Sequence, residues 1–190
     1  MSATTESAQH LPLLLERVQQ RSRFTVFDIG PATPQTVAFF SNFKCRLHFA
    51  DLYDDPLLTA QDELEDAELL ECFKALLSFA VGPFDLCLLW DAPNYLNPRA
   101  LRALSDALRP LIQHQSVAHG YCAFQETQPF APKQYGILDA ETVSVAPRPE
   151  AQARMYPTTQ NALIEAFSFF TVGRGTLMSD GRVELLLEAL

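Results

Sequence analysis

The stretch Val26-Phe27-Asp28-Ile29-Gly30-Pro31-Ala32-Thr33-Pro34 decides the fold, because it runs from an apolar strand through a glycine into a helix start. Phe24 to Ile29 is β-branched and aromatic and is bounded by Gly30, the pattern of a short buried strand. Thr33 can cap the free amides of a helix, and Pro34 suits its first position, where a missing N–H costs nothing. Strand, glycine turn and capped helix start in that order bring backbone amides to one point, where a ligand can meet them.

Outward from this stretch, strands and helices alternate. Leu11, Leu14, Leu15 and Val18 are spaced for an amphipathic helix before it, and Val37, Phe40 and Ser41 continue a helix after it. Cys45, Leu47 and Phe49 alternate with Lys44, Arg46 and His48 in a strand that ends at Asp51. Leu69, Leu70, Phe73, Leu76 and Leu77 mark a helix stopped by Gly82 and Pro83. Phe84 to Trp90 is a strand, and the apolar run within it suggests burial on both faces, as in a parallel sheet. Asn97 then caps a helix with Pro98 in its first turn and a Leu101, Leu104, Leu108, Leu111 stripe.

Ser116 to Phe124 is a further strand, and Gln125 to Pro157 is proline-rich and polar, predicting a long loop with one short strand near Thr142 to Val145. A helix opened by a threonine cap follows, and two last strands join through Ser179-Asp180-Gly181. The fold class is therefore α/β: a Rossmann-like, mostly parallel twisted sheet with helices on both faces and a C-terminal antiparallel β-hairpin. Leu52 to Pro83 offers one good helix and no convincing strand, which predicts loss of the third strand. Residues 1–190 make a single domain whose first ten residues are expected to be flexible.

Composition narrows the partners. A formal net charge of -9 would repel a phosphate backbone, and Arg99, Arg102 and Arg109 are interleaved with Asp106 along one helix, so nucleic acid is not expected. Cys45, Cys72, Cys87 and Cys122 stand apart in apolar surroundings, and His10, His48, His114 and His119 form no ligand cluster. Reduced thiols, no metal and a cytoplasmic location, in a bacterium, are the expectations. The start MSATTESAQH lacks a basic signal-peptide region, and no apolar run reaches the length of a membrane span.

In an open α/β sheet, ligands bind outside the carboxyl ends of the strands where the strand order switches. That singles out Asp28 to Thr33, Asp51, and Asp91 to Leu96. Asp51 lies 21 residues after Gly30, an interval at which an acidic strand end can accept bonds from ribose hydroxyls.

These residues together resemble the class I S-adenosylmethionine-dependent methyltransferases over nearly the whole chain. VFDIGPATP is similar to that family's glycine-rich motif, CRLHFAD to its second strand and ribose acid, FDLCLLWDAPNYL to its fourth strand and following loop, and the terminal hairpin to its reversed last strand. The resemblance implies S-adenosylmethionine as cofactor, with Asp28 near the methionine ammonium, Gly30 as the first motif glycine and Asp51 as the ribose carboxylate. Pro31, Ala32, Leu52 and Asp91 would complete the cofactor site, while Asn94 and Tyr95 would face a small-molecule or protein acceptor. DAPNYL matches the (Asn/Asp)-Pro-Pro-aromatic motif of amino-group methyltransferases only at Pro93.

Two departures from the family pattern bear on activity. Its second and third glycines fall on Ala32 and Pro34, and Pro31 and Pro34 each remove a backbone donor. No catalytic residue is assigned, since methyl transfer from a sulfonium proceeds chiefly by positioning and no Ser-His-Asp or Cys-His spacing is present. The sequence thus supports two functions: a methyltransferase, or a catalytically inactive methyltransferase-like protein serving as a binding or interaction module. Whether residues 125–149 form a lid or a partner-binding loop is left open.

Overall fold

A computed structural model describes residues 3–127, 129, 131–148 and 153–190. The elements are β1 (Thr4–Ser7), α1 (Leu11–Gln19), β2 (Phe24–Asp28), α2 (Pro34–Phe40), β3 (Cys45–Phe49), α3 (Leu57–Ala60), α4 (Asp66–Leu76), β4 (Phe84–Trp90), α5 (Pro98–Leu108), β5 (Ile112–Ala123), β6 (Lys133–Ile137), β7 (Thr142–Pro147), α6 (Gln160–Ala166), β8 (Phe170–Leu177) and β9 (Arg182–Ala189).

Six strands form the main sheet in the order β3-β2-β4-β5-β9-β8. The pairings β3 to β2, β2 to β4 and β4 to β5 are parallel, whereas β9 runs antiparallel to both β5 and β8. Every residue of β4 is buried, which explains the apolar run Leu86 to Trp90, and Phe27 stacks on Phe84 at 4.9 Å between ring centroids. The chain passes from β3 through α3 and α4 straight to β4, with no strand between Phe49 and Phe84. The missing third strand leaves β3 at the edge of the sheet.

The helix starts follow their capping chemistry. Thr33 Oγ1 accepts from Thr36 N at the start of α2, and Asn97 Oδ1 accepts from the amides of Arg99 and Ala100 at the start of α5. Glu65 and Glu68 close a reciprocal capping box on α4.

Two expectations are corrected. Thr4–Ser7, expected to be flexible, is strand β1, because the free edge of β7 pairs with it from Thr4↔Val145 to Ser7↔Thr142. The expected loop from Gln125 to Pro157 carries two strands: β7, where one short strand was expected, and β6, which was not, joined at Leu138–Glu141. Prolines 129, 132, 147 and 149 obscured the period-two pattern that buries Tyr135, Ile137, Val143 and Val145. β1, β7 and β6 form a second, three-stranded sheet that lies against the turn after β2.

Candidate functional site

The strand order reverses between β2 and β4, so the crevice of an open α/β sheet falls at their carboxyl ends. On the β2 side, Asp28 is 2% exposed and its Oδ1 accepts from Gly30 N and from Trp90 Nε1, each at 2.8 Å. A Cβ on Gly30 would meet Asp28 Oδ1 at 3.2 Å and Trp90 Cδ1 at 3.6 Å, which is why this turn position is glycine. Asp28 Oδ2 is buried without a hydrogen-bond partner. Burial pushes the Asp28 carboxyl up to about 7, against the opposing pull of those two donors. Pro31 is half-buried and Ala32 is exposed.

Trp90 adopts φ 47, left-handed backbone that a bulky side chain enters only when its surroundings dictate it. Here they do: the indole bonds Asp28, stands edge-on to His119 and stacks on Tyr135 at 4.9 Å, nearly parallel.

On the β3 side, Asp51 also lies in left-handed backbone, at φ 46 and ψ 55, and Leu52 N donates to Ile29 O, tying the two turns together. Leu52 itself is fully buried. Arg148, from the end of the β6-β7 hairpin, donates from Nη2 to Asp51 Oδ1 at 2.9 Å, with its guanidinium 4.8 Å from the Tyr53 ring centroid. Burial holds the Asp51 carboxyl above the usual carboxylate range despite that cation. Asp91 is 1% exposed and accepts a hydrogen bond from Tyr53 Oη. Burial pushes Asp91 up to about 6, while Tyr53 and Tyr135 favour its charged form. The Tyr53 and Tyr135 phenols, raised by burial and then by Asp91, stay neutral donors.

The second sheet packs against the start of α2. Ile137 N donates to Thr36 Oγ1 at 3.1 Å, and a Cβ on Gly136 would lie 3.0 Å from Thr33 Oγ1, so β6 rests on the start of α2. Buried Arg182 anchors it, donating to Tyr135 Oη at 2.9 Å, Glu6 Oε2 at 2.6 Å and Asp180 Oδ2 at 2.7 Å. Around Gly30, Asp51 and Asp91, Trp90 bonds Asp28 and stacks on Tyr135, Tyr53 bonds Asp91, and Arg148 bonds Asp51.

Asn94 and Tyr95, expected to face an acceptor, are 0% and 1% exposed. Asn94 Nδ2 donates to the carbonyls of Asp91 and Tyr121, and its Oδ1 accepts from Thr158 N, so the side chain joins three loops. Tyr95 packs edge-on against Tyr53. A surface groove of about 540 Å³ opens beside them, lined by Leu96, Leu101, Arg102, Glu126, Tyr156 and Glu165 among others. His119, read as a strand residue, is buried and faces Glu184 Oε1 at 3.0 Å. Among the described residues no group of three His, Cys, Asp or Glu side chains could hold a metal ion, and no helix is long and apolar enough to cross a membrane.

Sequence reasoning missed Tyr53, Trp90, Tyr135, Arg148 and Arg182. The single tryptophan at a strand end was a usable signal; Arg148, 97 residues from its partner Asp51, gave none.

Solved structures share this fold. The chain matches the Burkholderia thailandensis 1,6-didemethyltoxoflavin-N1-methyltransferase, a structure with bound S-adenosylhomocysteine, at 18% identity and TM-score 0.53, covering 95% of this chain and 77% of that one. It matches the Synechocystis PCC 6803 magnesium protoporphyrin IX methyltransferase with bound SAM at 11% identity and TM-score 0.52, covering 95% and 76%. The fold is that of the class I S-adenosylmethionine-dependent methyltransferases. Against the pyocyanin biosynthetic protein PhzM the identity is 13% and the TM-score 0.52, and the chain spans 54% of that protein's length. No protein-family model matches the chain, and no curated protein matches it.

One end of the crevice offers an orphaned acceptor of the kind the ammonium of S-adenosylmethionine needs. Asp28 Oδ2 is free to accept from an ammonium. Asp51, assigned by resemblance to ribose hydroxyls, has its Oδ1 paired with Arg148, whose guanidinium lies over the Tyr53 ring.

Proposed function

We propose that this chain is a catalytically inactive methyltransferase-like protein that keeps the fold as a binding and interaction module. The observation that carries this reading is the Arg148-Asp51 pair, in which the chain's own cation takes the carboxylate that a ribose would need. Ala32, Pro31 and Pro34 support it, since a methyl group and two missing amides weaken the turn as a ligand cradle. The partner in this reading is another protein.

Thermal melting with S-adenosylmethionine or S-adenosylhomocysteine tests it. A ligand at about 100 times its dissociation constant stabilises a fold by roughly 2.7 kcal/mol, or about 5–10 °C for a chain of this size. Millimolar ligand is expected to leave the melting temperature unchanged; a shift of several degrees contradicts the proposal.

One observation favours a second reading, a methyltransferase acting on a small molecule or protein. Asp28 Oδ2 is buried and unpartnered, a costly state that an ammonium donor would relieve. This reading requires Arg148 and Tyr135 to withdraw before S-adenosylmethionine enters. It predicts the melting shift that the first reading denies.

A further inference from the structure

The lost third strand leaves β3 paired with β2 alone, so among the described residues the other side of Cys45–Phe49 is a sheet edge with no neighbouring strand. In a sheet whose β4 is wholly buried, β3 contains no fully buried residue. Around it the charge of the protein inverts. Arg23, Lys44 and Arg46 are exposed and close in space, since β2 and β3 run in register from Phe24↔Cys45, and none forms an ion pair among the described residues. Arg46 reaches only the Val81 carbonyl, at 3.4 Å. Three uncompensated cations at one edge stand out on a chain with net charge -9. Apolar surface accompanies them: Val81 is 66% exposed beside Arg46, and Phe79 is 36% exposed and stacks on His48 of β3.

We infer that the β3 edge is a docking site for an extended acidic segment of a partner protein, which adds to the sheet as the strand the fold has lost. Main-chain hydrogen bonds to an edge supply affinity whatever the peptide's sequence, and side chains alternating to either face supply selectivity. Carboxylates on the segment would meet Arg23, Lys44 and Arg46, while its apolar residues would cover Phe79 and Val81. The same cations disfavour a second copy of this chain, because antiparallel pairing centred on Cys45 sets Lys44 of each strand against Arg46 of the other. This inference deepens the interaction-module reading and rests on it.

The test uses the full chain and a fluorescein-labelled ten-residue peptide of alternating Val and Glu, with a Val-Lys peptide as control, read by fluorescence anisotropy. The Val-Glu peptide is expected to bind at least tenfold more tightly than the Val-Lys peptide. Arg23→Glu combined with Arg46→Glu is expected to weaken it at least tenfold while leaving the melting temperature near that of the parent, since both side chains are exposed. Hydrogen exchange should slow at residues 45–49 on binding. Absence of binding, equal binding of both peptides, protection elsewhere, or dimerisation through β3 in sedimentation overturns the inference. Because cofactor binding is read by melting with a different probe, either proposal can fail without the other.

Discussion

On the β2 side of the crevice, Asp28, Gly30 and Trp90 form a short-range device made from two neighbouring strand ends, with one carboxylate oxygen left unpartnered. On the β3 side, Asp51 meets Arg148, 97 positions away at the end of a hairpin, and Asp91 meets Tyr53 and the hairpin's Tyr135. The first half keeps an orphaned acceptor; in the second, Asp51 and Asp91 already hold partners from the chain itself. Under the proposed reading, the fold retains the turn that defines it while the chain's own side chains take the partners a ligand would need.

The largest way to break this contrast is to remove the anchor of the second sheet. Arg182→Met leaves Tyr135 Oη and Glu6 without their buried cation, and is expected to cost about 2–4 kcal/mol in urea unfolding. It should also loosen β6 from α2, seen as faster hydrogen exchange at residues 133–137. An unchanged midpoint would show that the second sheet is held by packing alone.

A smaller effect comes from the two buried acids. Asp28 at about 7 and Asp91 at about 6 both lie above the ordinary carboxylate value, so the folded state binds more protons than the unfolded one between those limits. Their destabilising contribution is fully present above the folded values, is relieved as pH falls through them, and is gone below the unfolded value. Stability should thus fall as pH rises from about 5 to 7, with a slope of at most about 1.4 kcal/mol per unit for each group. Asp28→Asn should flatten this dependence and raise stability most at pH 8; a parallel offset at every pH contradicts the assignment.

The fold was legible because its signals are local. Gly30, the Thr33-Pro34 helix start, the apolar run of β4 and the Asn97 cap each act over a few residues, and the absence of a strand between Phe49 and Phe84 is itself a local pattern. The partners of Asp51 and Asp91 were not legible. Tyr135 and Arg148 lie among prolines that hide an alternating strand pattern, and their roles arise only when β6 and β7 fold over the start of α2. Asn94 was misread for the same reason: a polar side chain after a strand has the same sequence appearance whether it faces a ligand or joins three loops.

The smallest expected effect is on the latch. Arg148→Ala removes a pair whose carboxylate is one-third exposed, and is expected to cost only about 1 kcal/mol. Tyr53, Tyr135 and the β6 backbone remain in place, so S-adenosylhomocysteine should still fail to shift the melting temperature. A shift in this variant but not in the parent would mean that Arg148 alone excludes the cofactor.

Trp90 is the only tryptophan of the chain and lies at the centre of the crevice, against Asp28 and Tyr135. Titrating the parent protein with S-adenosylhomocysteine while following tryptophan emission therefore reads this site alone. If the crevice is closed by its own side chains, intensity and wavelength stay constant to millimolar ligand. Saturable quenching or a spectral shift would contradict the account and restore the chain to the cofactor-binding methyltransferases.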